Sequence, residues 1–142
     1  MAKHKAFAYV IRMDRTPPHL LVMESPEGPG FEVVRGKQDL HETLAETAQR
    51  EVAEEAGLTG CVLGRELGIV RWRNEIQHFF LIYAPNGLPD TFEHTVNAPD
   101  AGDHGQVFKF SWIPVAPGLE TVLVQGSGRF ADALIEALRN RA

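Results

Sequence analysis

Two short apolar runs, Ala6–Arg12 and Leu20–Met23, flank Thr16-Pro17-Pro18, and this spacing predicts a hairpin. Ser25-Pro26-Glu27-Gly28-Pro29-Gly30 has the composition of a loop. Phe31–Val34 is a short strand candidate leading to Gly36. From Thr43 to Ala56 the period changes: Leu44, Ala45, Ala48, Val52 and Ala56 fall on one helical stripe. Thr43 with Glu46 three residues on predicts a capping box, and Gly57 a left-handed helix terminator.

Cys61–Trp72 and Ile76–Ala84 read as two strands joined by a tight turn over Arg73-Asn74-Glu75. Pro85 to Gly105 is polar and dense in proline and glycine, which predicts one long loop. Val107–Ile113 is a further strand, ending at Pro114. Phe130, Leu134 and Leu138 share a face and predict a C-terminal helix. Strands interrupted by one central and one terminal helix indicate an α/β or α+β sandwich around a mixed sheet. No repeat or linker divides the 142 residues, a length that suits one domain spanning 1–142.

Charge narrows the partners. Lys and Arg number 14 against 19 Asp and Glu, a formal net charge of −5. No basic excess advertises a nucleic acid or an anionic membrane. No stretch approaches eighteen apolar residues, and the six from Ala6 to Ile11 are too few for a signal peptide, which points to the cytoplasm. The single cysteine, Cys61, has no second thiol and reads as a small buried hydrophobe. A homodimer is compatible with the sequence, which carries no oligomerisation signal.

One segment breaks the pattern of an ordinary surface helix. Glu51, Glu54 and Glu55 stand at i, i+3 and i+4 and share one side. With Glu51 at zero they lie at about 0°, 300° and 40° on the helical wheel, beside an apolar stripe from about 20° to 100°. Three carboxylates therefore crowd the border of the buried face. Mutual repulsion and the helix dipole near the C-terminus both oppose this arrangement. A divalent cation would reverse each of those effects. Oxygen ligands without His or Cys select Mg²⁺ or Mn²⁺. A metal-bound water is more acidic, and a spare carboxylate beside it can act as base. The plain alternative is a solvated acidic face with Arg50–Glu54 and Glu46–Arg50 pairs.

Gly36, Glu42, Arg50, Glu51, Val52, Glu54, Glu55, Gly57 and Leu58 fill nine positions at fixed offsets within residues 36–58. The segment resembles the Nudix box: Gly, five residues, Glu, seven residues, Arg-Glu-apolar-any-Glu-Glu-any-Gly-apolar. The resemblance implies an α/β/α sandwich, a metal-binding loop–helix–loop, and hydrolysis of nucleoside diphosphates linked to another moiety. Carried over, Glu51, Glu54 and Glu55 resemble the metal ligands, with Glu51 or Glu54 activating water. Glu42 resembles the family's supporting acid, close to the metal or behind its ligands. Arg50 would orient carboxylates through its guanidinium fork, and Gly36 would let a backbone carbonyl approach the metal. Departures are plain: Val34-Arg35 precedes the box glycine, and His41 stands where relatives often have glycine. No acid lies just before Trp112-Ile113-Pro114; Glu93, Asp103 and His104 are farther upstream.

Arg71, Trp72 and Arg73 could stack a base and hold phosphate, or form a hairpin tip with exposed cations. His104, in the long loop, could touch phosphate, whereas His78 reads as a strand residue facing a neighbour. Phe79, Phe80, Phe108, Phe110 and Trp112 read as core. The sequence thus predicts a Mg²⁺-dependent hydrolase of a phosphoanhydride in a small nucleotide derivative. The alternative is a non-hydrolytic nucleotide-binding or sensor protein on the same fold, whose mark would be broken box acids; none is broken. Absence of proline from Val70–Gln77 argues against the ADP-ribose-type subgroup that the resemblance otherwise suggests.

Overall fold

A run of apolar residues without polar alternation marks a strand covered on both faces, and β1 (Lys3–Arg12) is one: Ala6 to Arg12 are all buried. The computed structural model describes residues 2–97, 102 and 104–140. The other strands are β2 (His19–Glu24), β3 (Phe31–Glu32), β4 (Val34–Lys37), β5 (Val62–Trp72), β6 (Glu75–Tyr83), β7 (Thr91–Thr95) and β8 (Val107–Pro114). The helices are α1 (Leu44–Ala56) and α2 (Ala131–Arg139). The main sheet runs in the order β5-β6-β1-β2-β8-β7, with β3 paired to β2 and β4 to β1. It is mixed because β1 and β6 run parallel from Lys3↔Glu75 to Ile11↔Tyr83.

Alternation along β1 sorts the core into two halves. Ala6, Ala8 and Val10 face α1, meeting Ala48, Val52 and Ala56. The small alanines let the helix lie close to β1 and β4. Phe7, Tyr9 and Ile11 face the other way, toward Ala131, Leu134 and Ala137 of α2. One helix on each face makes the expected α/β/α sandwich.

α1 starts and stops as its sequence dictates. The Thr43 hydroxyl accepts from the Glu46 N–H at 3.1 Å, and Glu46 Oε1 accepts from the Thr43 N–H at 2.8 Å. Gly57 ends the helix at φ +69°. The His94 ring packs against it where a Cβ would stand, so glycine is required there for space as well as conformation.

Several boundaries differ from expectation. Pro85–Gly105 is not one loop: β7 lies within it and pairs with β8 from Thr91↔Ser111 to Thr95↔Val107. Phe92 stacks on Phe110 at 5.2 Å, an apolar contact that the surrounding prolines and glycines mask in the sequence. The single strand expected over Phe31–Val34 is two, because β3 follows β2 while β4 crosses to β1 and runs on through Gly36 to Lys37. The first hairpin pairs only at Ile11↔Leu20 and Arg12↔His19, since β4 takes the β1 edge beyond. Glu75 already belongs to β6, leaving a two-residue turn with Arg73 at φ +55°. A short 3-10 turn, Leu119–Thr121, lies beyond β8, where the residue pattern predicts no element. Cys61 is half-buried, and that burial raises its thiol pKa. No helix among the described residues is long and apolar enough to cross a membrane.

Candidate functional site

Residues on a strand alternate between faces, so Arg35 and Gly36 of β4 stand on opposite sides of the sheet. Gly36 lies beneath α1. A Cβ placed on it would collide with the carboxyl end of Glu51, so this glycine serves close approach. Burial along the acidic side follows the helical wheel. Glu55, nearest the apolar stripe, is buried at 8% exposure, whereas the Glu54 side chain keeps 26%. Glu51 shares a hydrogen bond with Glu55, and burial pushes its carboxyl above the usual carboxylate range despite nearby Arg50.

Arg50 is the hub of the cluster. Its Nη1 donates to Glu51 Oε1 at 2.9 Å and to Glu54 Oε2 at 3.1 Å. Its Nη2 donates to Glu42 Oε1 and to the Lys37 carbonyl, at 2.8 and 2.9 Å. Glu42 is correspondingly saturated. Besides Arg50, its Oε1 accepts from the Asp39 N–H and the Thr47 hydroxyl, each at 2.8 Å. The Arg50 bond above all lowers its pKa to about 2. Glu46 is absent from this cluster because it caps α1 instead. His41, on the loop into the helix, adopts φ +66°, which explains why a glycine would suit that position.

Among the described residues, no three His, Cys, Asp or Glu side chains are arranged to hold a metal ion. The carboxylates converge on the Arg50 guanidinium instead. Yet their chemistry fits a hard divalent cation: only oxygen donors are present, and Glu51 and Glu55 are packed against each other with little water. One guanidinium shared among Glu42, Glu51 and Glu54 leaves this group short of positive charge.

Across the sheet, a cleft of about 470 Å³ opens beside Phe7, Trp72 and Arg73. Arg35, the residue before Gly36, also lines it, as do Lys3, Lys5 and Arg129. The Arg129 and Arg73 guanidiniums lie over the Trp72 ring, 4.3 and 5.3 Å from its centroid. Of the hairpin-tip residues, Trp72 and Arg73 thus reach the cleft, while exposed Arg71 does not line it. His104 is exposed in the turn before β8 and lies outside that lining. Glu93 is exposed on β7, 3.9 Å from Lys109, and Asp103 falls outside the described residues. His78 faces His4 at 3.1 Å and Glu66 at 3.4 Å, a pairing of neighbouring strands with no local signal in the sequence. Phe79, Phe80 and Phe110 are core, with Phe108 and Trp112 half-buried beside them.

A sequence search of curated proteins finds no match. Solved structures share the fold. A mutT/nudix family protein from Listeria innocua has a TM-score of 0.67 at 16% identity, covering 97% of this chain and 94% of its own. An ADP-ribose pyrophosphatase from Streptococcus suis has 0.67 at 17% identity, covering 100% and 96%. RenU, a Nudix hydrolase from M. smegmatis, has 0.68 at 18% identity, covering 97% and 87%. The model of the NUDIX domain matches residues 2–134, nearly the full length over which the sheet, both helices and the Glu-rich segment extend, and the chain belongs to the Nudix family.

Proposed function

We propose that this protein hydrolyses a phosphoanhydride bond in a nucleoside diphosphate derivative, using Mg²⁺ or Mn²⁺ held by Glu51, Glu54 and Glu55 with a carbonyl beside Gly36. The observation that carries this reading is the half-buried Glu51 carboxyl, set over a glycine and against buried Glu55, where folding alone disfavours a charge. A bound cation there would supply charge against the phosphates and acidify a water. Glu51 or Glu54, both beside the site where that water would stand, would take its proton. Arg50 fixes both carboxylates. Glu42, with both oxygens engaged, serves as the anchor of Arg50 rather than as a metal ligand.

The substrate is a small molecule, and the protein acts as one domain in the cytoplasm. The S. suis neighbour is an ADP-ribose pyrophosphatase, but at 17% identity that likeness carries the fold and not the substrate. A panel of nucleotides and nucleotide sugars with Mg²⁺, with products identified, tests the proposal. Chelator-sensitive release of a nucleoside monophosphate or another anhydride-cleavage product is expected. Metal binding without turnover of any nucleotide would favour a sensor.

A further inference from the structure

Three side chains from three neighbouring strands meet in a row outside the Glu-rich segment. His4 of β1 and His78 of β6 turn ring nitrogens toward each other, Nδ1 to Nε2, at 3.1 Å. Their ring centroids are 5.3 Å apart and the ring planes are tilted by 35°. The second nitrogen of His78, Nδ1, faces Glu66 Oε2 of β5 at 3.4 Å. Glu66 is exposed, whereas the His78 side chain keeps only 12% exposure, so the imidazole is held among its neighbours.

Strand register fixes where this row lies. Gly36 pairs with Ala6, and Ala6 with His78, so the three stand in one line across β4, β1 and β6. Directly paired residues share a face, and Gly36 faces Glu51 of α1. His78 therefore stands on the Glu51 side of the sheet. Two strand spacings, about 10 Å, separate its backbone from that of Gly36. The row is thus a separate group of donors, not a part of the carboxylate cluster gathered on Arg50.

A carboxylate only accepts, so Glu66 holds a proton on His78 Nδ1 and leaves the Nε2 lone pair directed at His4. Metal-bound histidine has this arrangement: one nitrogen donates to a carboxylate while the other gives its lone pair to the ion. The His4 tautomer then decides the contact. With a proton on Nδ1 the pair closes as a hydrogen bond; with the proton on Nε2 two lone pairs face one point. Tetrahedral Zn²⁺, with bonds of about 2.0–2.1 Å, sets two nitrogens about 3.3–3.4 Å apart. The observed 3.1 Å needs to open only slightly. We propose that His4 Nδ1 and His78 Nε2 bind a Zn²⁺ ion, with Glu66 orienting His78 and water completing the coordination. No third protein ligand joins them among the described residues, so the site is open and exchangeable rather than structural. Imidazole suits Zn²⁺ and carboxylate suits Mg²⁺, so the two cations take different sites on one face of the sheet. The Zn²⁺ site does not depend on the hydrolase reading.

Isothermal titration of Zn²⁺ into the full chain in excess Mg²⁺ should show one ion bound per chain. His4→Gln and His78→Gln should each weaken binding at least tenfold, and Glu66→Gln, which frees the His78 ring, about tenfold. His19→Gln/His104→Gln removes two imidazoles elsewhere and should leave binding within twofold. Glu51→Gln/Glu54→Gln should leave it within twofold as well, which separates this site from the acidic cluster and from any hydrolysis. In the unaltered protein, the imidazole NMR signals of His4 and His78 should shift with added Zn²⁺ while those of His19 and His104 stay in place. That readout needs no variant to fold. Absence of Zn²⁺ binding, unmoved His4 and His78 signals, or equal loss in the His19/His104 pair overturns the site. Loss in Glu51→Gln/Glu54→Gln with none in His78→Gln overturns it too, by placing Zn²⁺ among the carboxylates.

Discussion

Gly36 and Glu51 occupy the same space: the carboxyl end of Glu51 lies where a side chain at 36 would begin. The atoms in the way form the mobile end of a flexible side chain, so Gly36→Ala forces Glu51 to rotate rather than the backbone to move. We expect a stability loss within about 1.5 kcal/mol, the cost of an off-rotamer side chain. Half-saturating Mg²⁺ for activity should rise at least tenfold. Parallel thermal unfolding and Mg²⁺ titration of turnover check both.

Glu54→Gln separates stability from activity. The lost ion pair with Arg50 is an i,i+4 pair worth about 0.3–0.5 kcal/mol, and relief from neighbouring carboxylates offsets part of it. Denaturant midpoints without metal should thus barely differ. Loss of a ligand or general base should lower kcat by at least about a hundredfold. Glu46→Gln, at the capping box where glutamine also serves, should keep most of the kcat. An active Glu54→Gln enzyme would remove this residue from the chemistry.

Glu42 gives the acid side of the stability curve. Its folded pKa of about 2 lies below the ordinary value of 4.5, so the unfolded chain binds the proton first. Its stabilisation is complete above pH 4.5 and is lost as pH falls from there through 2. Glu42→Gln, which strips charged bonds from Arg50, should destabilise by about 1–3 kcal/mol at pH 7. That deficit should shrink steadily below pH 4.5, as followed by urea unfolding at several pH values.

On the α2 face, buried Tyr9 donates to the Ser127 carbonyl at 2.6 Å and accepts from the Phe130 N–H at 3.2 Å. Burial, the largest influence, raises the phenol pKa, so Tyr9 stays a neutral donor at physiological pH. Tyr9→Phe leaves both backbone groups without this partner and should cost about 1–3 kcal/mol. Thermal unfolding of the variant, followed by calorimetry, checks this loss.

Chelator should abolish turnover without unfolding the protein, because apolar burial on both faces of the sheet is large enough to hold the fold by itself. Adding Mg²⁺ should raise the thermal midpoint, and Glu51→Gln should blunt that rise. Circular dichroism in EDTA and thermal scans in Mg²⁺ measure each.

Local rules determined the parts of this protein that are local. The Thr43–Glu46 box, the Gly57 terminator and the side shared by Glu51, Glu54 and Glu55 follow from helical spacing, and all three are present. The Gly36-to-Leu58 pattern likewise fixed the family, because its positions are set by offsets along one segment. Tertiary structure decided what depends on strand pairing. β7 exists because Phe92 finds Phe110 across the sheet, and β4 exists as a separate strand because β1 offers it an edge. Arg50 became a hub only once Lys37 and Glu42 had folded round the start of α1. The basic cleft is the clearest case. Lys3, Arg35, Arg73 and Arg129 are scattered over the chain, and their charges sum only when the parallel pairing of β1 with β6 and the packing of the α2 end bring them together.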